Sequence, residues 1–168
     1  MANPRVAVLM GSDSDLPKLE GTFNTLRELG LEFTADVISA HRTPAAAHAF
    51  AAGAEEKGYE VIIAAAGGAA HLAGVLASQT TLPIIGVPIP TSNLGGLDSL
   101  LSTVQMPGGV PVATVGVGSG GAKNAAVLAA QIIAVGDPDL RARLKAFKEK
   151  QADEVAEKSR RLKEKVEG

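Results

Sequence analysis

The chain has no cysteine and no tryptophan, and aromatic residues make up only 3% of its 168 positions. Without thiols there is no disulfide framework, no thiolate nucleophile and no thiolate metal site. A reducing compartment is compatible with that, and the expected location is cytoplasmic. With so few rings, the core must be built from close-packed Ala, Val, Ile and Leu. Positive charge is also scarce: the formal net charge is −2. That balance argues against nucleic acid or an anionic membrane as a partner. Long apolar runs are missing as well. The opening stretch is too short in apolar residues for a signal peptide, and Arg5 is its only early cation. The apolar region 61–90 is interrupted by Gly, His and Pro, so no transmembrane helix is expected. Three histidines without an H-x-x-x-H pair or clustered carboxylates give no metal site. No G-x-S-x-G elbow precedes a helix, which leaves a hydrolase-type nucleophile without support.

The charge is unevenly spread. Before position 137 the basic side chains are Arg5, Lys18, Arg27, Arg42, Lys57 and Lys123 alone. If the body binds an anion, few groups can do so. Arg42 and Lys123 are the two read as lying at strand-to-helix junctions.

Apolar runs alternate with helical stretches. Strands are expected at 5–10, 32–38, 60–65, 83–87 and 111–117. Helices are expected from Pro17 to about Leu29, 44–57, after the 67–71 loop to about Gln79, 96–104, and from the 118–121 loop to about Val135, with Gly30 and Gly58 as stops. Gly136-Asp137-Pro138 then breaks the chain, and a charged helix begins near Asp139. This order predicts a three-layer αβα, flavodoxin-like domain over 1–136. Its doubly wound, five-stranded parallel sheet is expected in the order 2-1-3-4-5. Residues 137–168 are expected to form an extra C-terminal helix on the chain's own body or a neighbouring subunit. Leu140, Leu144, Phe147 and Gln151 form its narrow stripe, and fraying is expected past about 157.

Ligands of such sheets bind outside the carboxyl ends of the strands. The loops there, 11–15, 39–43, 66–71, 88–95 and 116–121, are all polar or glycine-rich. Ser39-Ala40-His41-Arg42-Thr43-Pro44 is the most informative. His41 can exchange a proton near neutral pH. Arg42 offers a planar fork for phosphate or carboxylate. Thr43 and Pro44 read as N-cap and first helical residue. Ser12 and Ser14 could bind phosphate or ribose, and Asp15 a ribose hydroxyl, although helix capping is the plain alternative for Asp15. His71 follows a Gly-Gly pair that permits close backbone approach; a structural histidine is its alternative. Asp13 is expected to face solvent, and His48 is given no role. The G-x-G-x-x-G match at Gly116–Gly121 lacks a following strand with its acidic residue, and reads as tight packing. The helix at 122–135 is apolar almost all round, which predicts an oligomer.

Four motifs then define a resemblance: Gly11-Ser12-x-Ser14-Asp15, Ser39-Ala40-His41-Arg42-Thr43-Pro44, Gly67-Gly68-Ala69-Ala70-His71-Leu72, and Gln105-Met106-Pro107-x-Gly109-Val110-Pro111-Val112. Together they resemble the bacterial purine-pathway 5-(carboxyamino)imidazole ribonucleotide mutases, also called the catalytic subunit of phosphoribosylaminoimidazole carboxylase. The resemblance covers about residues 5–150. Ala73 stands where many members have Pro. The resemblance implies an isomerase of de novo purine biosynthesis that moves a carboxylate from an exocyclic nitrogen to ring carbon 4. It implies no metal or organic cofactor, a small nucleotide substrate, and a homo-octamer with its site at subunit junctions. It makes His41 the general acid/base, Arg42 a phosphate ligand, and Ser12 and Asp15 ribose or phosphate ligands. Ser14, Ser39, Ala40, Gly67, His71 and Leu72 would line the pocket. Two alternatives stay open: direct carboxylation of aminoimidazole ribonucleotide with carbon dioxide, and a non-catalytic nucleotide-binding module on the same fold.

Overall fold

Five short strands carry the architecture: β1 (Val6–Met10), β2 (Phe33–Val37), β3 (Val61–Gly67), β4 (Ile84–Ile89) and β5 (Ala113–Thr114). In the computed structural model, which describes residues 4–167, they form one sheet in the order β2-β1-β3-β4-β5. Every pairing is parallel. Residues along each inner strand alternate between two cores, as a two-residue period requires. Val6, Val8, Val61, Ile63, Ile85 and Val87 face one side. Ala7, Leu9, Ile62, Ala64 and Ile84 face the other.

The connections are helical: α1 (Leu16–Glu28), α2 (Pro44–Ala52), α3 (Leu72–Ala77), α4 (Leu97–Val104), α5 (Ser119–Ile133) and α6 (Pro138–Glu167). Helices α1 and α5 cover the first face with Leu19, Phe23, Leu26, Ala126 and Ala130. On the second face α2 and α3 supply Ala47, Ala51, Leu72 and Leu76. Helix α4 lies beside α3: a Cβ on Gly86 of β4 would meet both the Thr103 methyl and the Ala73 Cβ. A parallel sheet needs helices on both faces, and this one has them.

Several expected boundaries shift for local reasons. Helix α2 ends at Ala52 rather than near 57, because Gly53 starts a chain of tight turns that runs to Gly58. Strand β5 keeps two residues of the expected 111–117. Pro111 has no N–H to give, and Gly118 (φ 79°) turns the chain away. Irregular bonds from Val115 N to Gly86 O and from Gly118 N to Pro88 O extend the edge.

Helix α5 was expected to need a partner subunit to cover it. Its own chain does much of that work: α1 packs along it, and Leu140, Leu144 and Phe147 of α6 join the same core. Burying a leucine such as Leu140 completely stabilises by about 1.5–3 kcal/mol. Asp137 caps α6 by accepting from Leu140 N at 2.9 Å. Past residue 150 the helix is fully exposed, yet it runs unbroken to Glu167. Arg160 pairs there with Glu157 and Glu164, the spacing that supports an exposed helix.

Gly116–Gly121 is a packing device, as its sequence suggested. A Cβ on Gly121 would lie 1.5 Å from Gly116 O. Among the described residues, no helix is long and apolar enough to cross a membrane.

Candidate functional site

The order 2-1-3-4-5 reverses direction between β1 and β3, so the loops leaving these strands diverge and open a crevice. A cavity of about 570 Å³ occupies that position. The loop after β1 supplies Ser12, Ser14 and Asp15, and α1 supplies Lys18. The loop after β2 supplies Ser39, Ala40, His41 and Arg42. Gly67, His71 and Leu72 come from the β3 side, and Ile89, Pro90 and Thr91 from the end of β4. All ten residues singled out in the sequence therefore border one space.

The Ser39–Thr43 loop is closed on itself. Thr43 was expected to cap α2 with its side chain, but makes no such bond. Its Oγ1 instead donates to Ser39 O (2.9 Å) and accepts from Ser39 N (3.0 Å). Arg42 N donates to Ser39 Oγ (3.1 Å), and Arg42 Nη2 donates to Gly11 O (3.1 Å). The guanidinium thus ties the loop after β2 to the loop after β1, and Arg42 also lines the cavity.

The two histidines meet. His41 Nε2 lies 2.8 Å from His71 Nδ1, with the rings nearly perpendicular. These two nitrogens are within hydrogen-bond distance, so the second nitrogen of each ring is the one left for a ligand.

The loop after β3 is built for close approach. A Cβ on Gly67 would meet Ile89 O and Thr91 Cγ2 at 3.1 Å. Gly68 takes φ 66°, a conformation that favours glycine. Glycine at 67 thus lets the end of β3 pack closely on the chain leaving β4, and both segments line the cavity.

Ser12 and Ser14 line the opposite wall, with Ser14 Oγ donating to Ser12 Oγ at 2.8 Å. Asp15 occupies the capping position of α1 without making a side-chain cap bond. Burial raises its carboxyl above the ordinary value. A carboxylate held at this cost without capping its helix is available to a ligand hydroxyl. Asp13 is exposed, as expected, and so is His48.

The cations redistribute relative to expectation. Lys123 does not reach the cavity: its Nζ lies over the Phe147 ring, 5.8 Å from the centroid. Arg5 pairs with Glu60 and Asp137, Arg27 lies over Phe33, and Lys57 over Phe50. Lys18 was missed, yet it lines the cavity with Arg42. Its signal was its position. A lysine in the first turn of a helix opposes the macrodipole, so an anion there has a reason to be expected.

A crevice at the switch point, bordered by two imidazoles, a guanidinium and an ammonium, marks a doubly wound α/β protein whose cavity suits a small anionic ligand. A family model described as AIR carboxylase matches residues 5–154. The chain belongs to that family. The N5-carboxyaminoimidazole ribonucleotide mutase of Thermotoga maritima is 54% identical over 159 residues, spanning 95% of this chain and 92% of that protein. The mutase of the same name from Mycobacterium tuberculosis is 55% identical over 159 residues, spanning 95% and 90%. The crystal structure of Treponema denticola PurE superposes with a TM-score of 0.84 at 29% identity, covering 95% of this chain and 99% of that one.

Proposed function

We propose that this chain is an N5-carboxyaminoimidazole ribonucleotide mutase of purine biosynthesis, working in the cytoplasm as a homo-oligomer. Its relatives of that name span nearly the whole chain. The observation that carries the residue roles is that His41 and Arg42 border the same cavity.

Arg42 and Lys18 hold the phosphate. Ser12, Ser14, Ser39 and Asp15 take the remaining phosphate oxygens and the ribose hydroxyls. Binding energy gathered there orients the ring at the far end, where the chemistry occurs. Gly67, Ala40 and Leu72 form the walls against which the heterocycle lies.

His41 carries the proton. As the N–CO₂ bond of the carbamate breaks, its electron pair stays on nitrogen, which takes a proton from the His41 imidazolium. The released carbon dioxide remains beside the ring, held by proximity. Carbon 4 attacks it, and the new C–C bond leaves carbon 4 with one hydrogen too many for an aromatic ring. His41, now neutral, removes that proton and regains its charge. No net proton is consumed. His71 orients the His41 ring through the 2.8 Å contact.

Assembly is supported by α4, whose sides are inverted. Ser99 and Thr103 face inward at 0% and 2% exposure, while Leu97, Leu101 and Val104 face outward at 57%, 47% and 45%. An apolar stripe of this kind on a small protein marks a protein contact. A second copy of this chain is its occupant, and an octamer is the assembly expected.

The deciding experiment offers the purified protein the carbamate nucleotide without added bicarbonate. Formation of the 4-carboxylated isomer is expected. A requirement for carbon dioxide and free aminoimidazole ribonucleotide would instead assign direct carboxylation. Binding without turnover would make the chain a nucleotide-binding module.

A further inference from the structure

The loop from Gly67 to His71 is internally weak. Ala70 N bonds to Gly68 O and His71 N to Ala69 O, both at 2.8 Å. These are three-residue turns, which hold the backbone less firmly than helix or strand ladders do. The first residue after this loop starts α3, a helix of only six residues. Yet His71 must be held closely enough to keep its ring on His41.

The support comes from α4. Ser99 Oγ accepts from Gly68 N at 2.8 Å and donates to Ile89 O at 2.6 Å. It thereby joins the loop after β3 to the end of β4, two walls of the cavity. Ser102 Oγ accepts from Ala70 N at 3.1 Å. Its single proton is placed between Asp98 O and Gly68 O. Positions 99 and 102 are three apart and so lie on one helix face. The loop's Gly68 and Ala70 N–H groups therefore both end on α4 hydroxyls.

We propose that Ser99 and Ser102 are positioning residues, whose hydroxyls fix the Gly67–His71 loop and, through it, the His71 ring against His41. The inference rests on the assignment of His41 and His71 to the reaction site. Neither serine lines the cavity. An aliphatic residue at either position would still pack α4 on the sheet, but at 99 it would leave Gly68 N–H without its partner, and at 102 it would leave Ala70 N–H only the three-residue turn to Gly68 O. The loop would then move by a fraction of an ångström at the point where the two imidazoles meet. Small displacements of reacting groups are costly in rate rather than in binding.

The test compares wild type with Ser102→Ala, Ser99→Ala and Ser102→Thr. It measures kcat and KM for the carbamate nucleotide, thermal stability, and the imidazole ¹⁵N and ¹H resonances of His41 and His71. Ser102→Ala should lower kcat by roughly tenfold, within the ~10²-fold range for misplacement, while KM stays within about twofold. The histidine resonances should lose the signature of their mutual hydrogen bond. Ser102→Thr, which keeps the hydroxyl, should recover most of both. Should Ser99→Ala fail to fold, Ser102→Ala with its threonine control still decides. A folded Ser102→Ala with wild-type kcat and unchanged histidine resonances would overturn the proposal. Should wild type not turn over the carbamate, the resonances still report positioning, so failure of the activity and failure of the inference are distinguishable.

Discussion

His41 Nε2 and His71 Nδ1 lie 2.8 Å apart, edge to face, although the two residues come from different loops thirty positions apart. The contact exists because β1 lies between β2 and β3, so the loops leaving β2 and β3 face each other across its carboxyl end. It links the proposed proton-transfer group to a second ring that borders the same cavity. Arg42 and Lys18, the proposed phosphate ligands, and the backbone of Gly67 border the same cavity.

The two cavity cations should act on binding more than on chemistry. Arg42→Ala is expected to raise KM by at least tenfold, the scale of about 1.5–3 kcal/mol for a hydrogen bond to a charged group. It should leave kcat within a few-fold. Lys18→Met should raise KM by a smaller factor, because an ammonium acts as a point charge rather than a fork. Inorganic phosphate, tested as a competitive inhibitor, should weaken in parallel with KM in both variants. A kcat effect with unchanged KM would remove either residue from the phosphate end.

Asp15 sets function against stability. Burial raises its carboxyl above the ordinary value of 3.8. A raised acid favours the folded state below its unfolded value, and that advantage is lost as pH rises through the folded value. At neutral pH the ionised group therefore weakens the fold. Asp15→Asn should raise Tm at pH 7, and the gain should shrink as pH falls through the carboxylate range. The same variant should bind nucleotide less well. Thermal melts across pH, paired with KM, check both parts; a lower Tm at pH 7 would contradict the burial argument.

Gly121 has no room for a side chain, since a Cβ would lie 1.5 Å from Gly116 O. Gly121→Ala must push α5 away from the end of β5. The expected loss of stability is at least ~1–3 kcal/mol, the usual cost of overpacking, because the opposing atom is backbone and cannot rotate aside. Denaturant unfolding measures it directly.

The outer stripe of α4 should control assembly without holding the fold. Leu101, at 47% exposure, does not belong to either core. Leu101→Glu is expected to change Tm of the isolated subunit little, since exposed substitutions cost within about 0.5 kcal/mol. Sedimentation should show a smaller assembly than wild type. An unchanged mass would place the interface elsewhere.

Much of this was legible in the chain itself, for identifiable reasons. Pro17 and Gly30 bound α1, and inner strands such as Ile62–Ala65 are continuous apolar runs, whereas Gly58, read as a helix stop, lies six residues past the end of α2. The binding edge could be read because loops as different as Ser12–Asp15 and Gly67–His71 share polarity or glycine at the same end. Lys18 escaped because its reach into the cavity depends on how α1 is rotated on the sheet. Lys123 misled for the same reason: rotation of α5 sends it to Phe147. The apolarity of α5 predicts a covering partner, and part of that cover is α6 of the same chain, through Leu140, Leu144 and Phe147. The inverted α4 was visible as hydroxyls at 99, 102 and 103 opposite Leu97, Leu101 and Val104. The inward face meets the Gly68 and Ala70 N–H groups of a loop about thirty residues away, and local sequence does not report that.

The central claim is that His41 moves the proton while other groups hold the nucleotide. His41→Asn tests it most directly, with nucleotide affinity by calorimetry and turnover of the carbamate measured on the same preparation. The dissociation constant should stay near the wild-type value while kcat falls by roughly a hundredfold or more, the contribution of a general acid/base. Turnover within a few-fold of wild type would remove His41 from the proton's path and contradict the account.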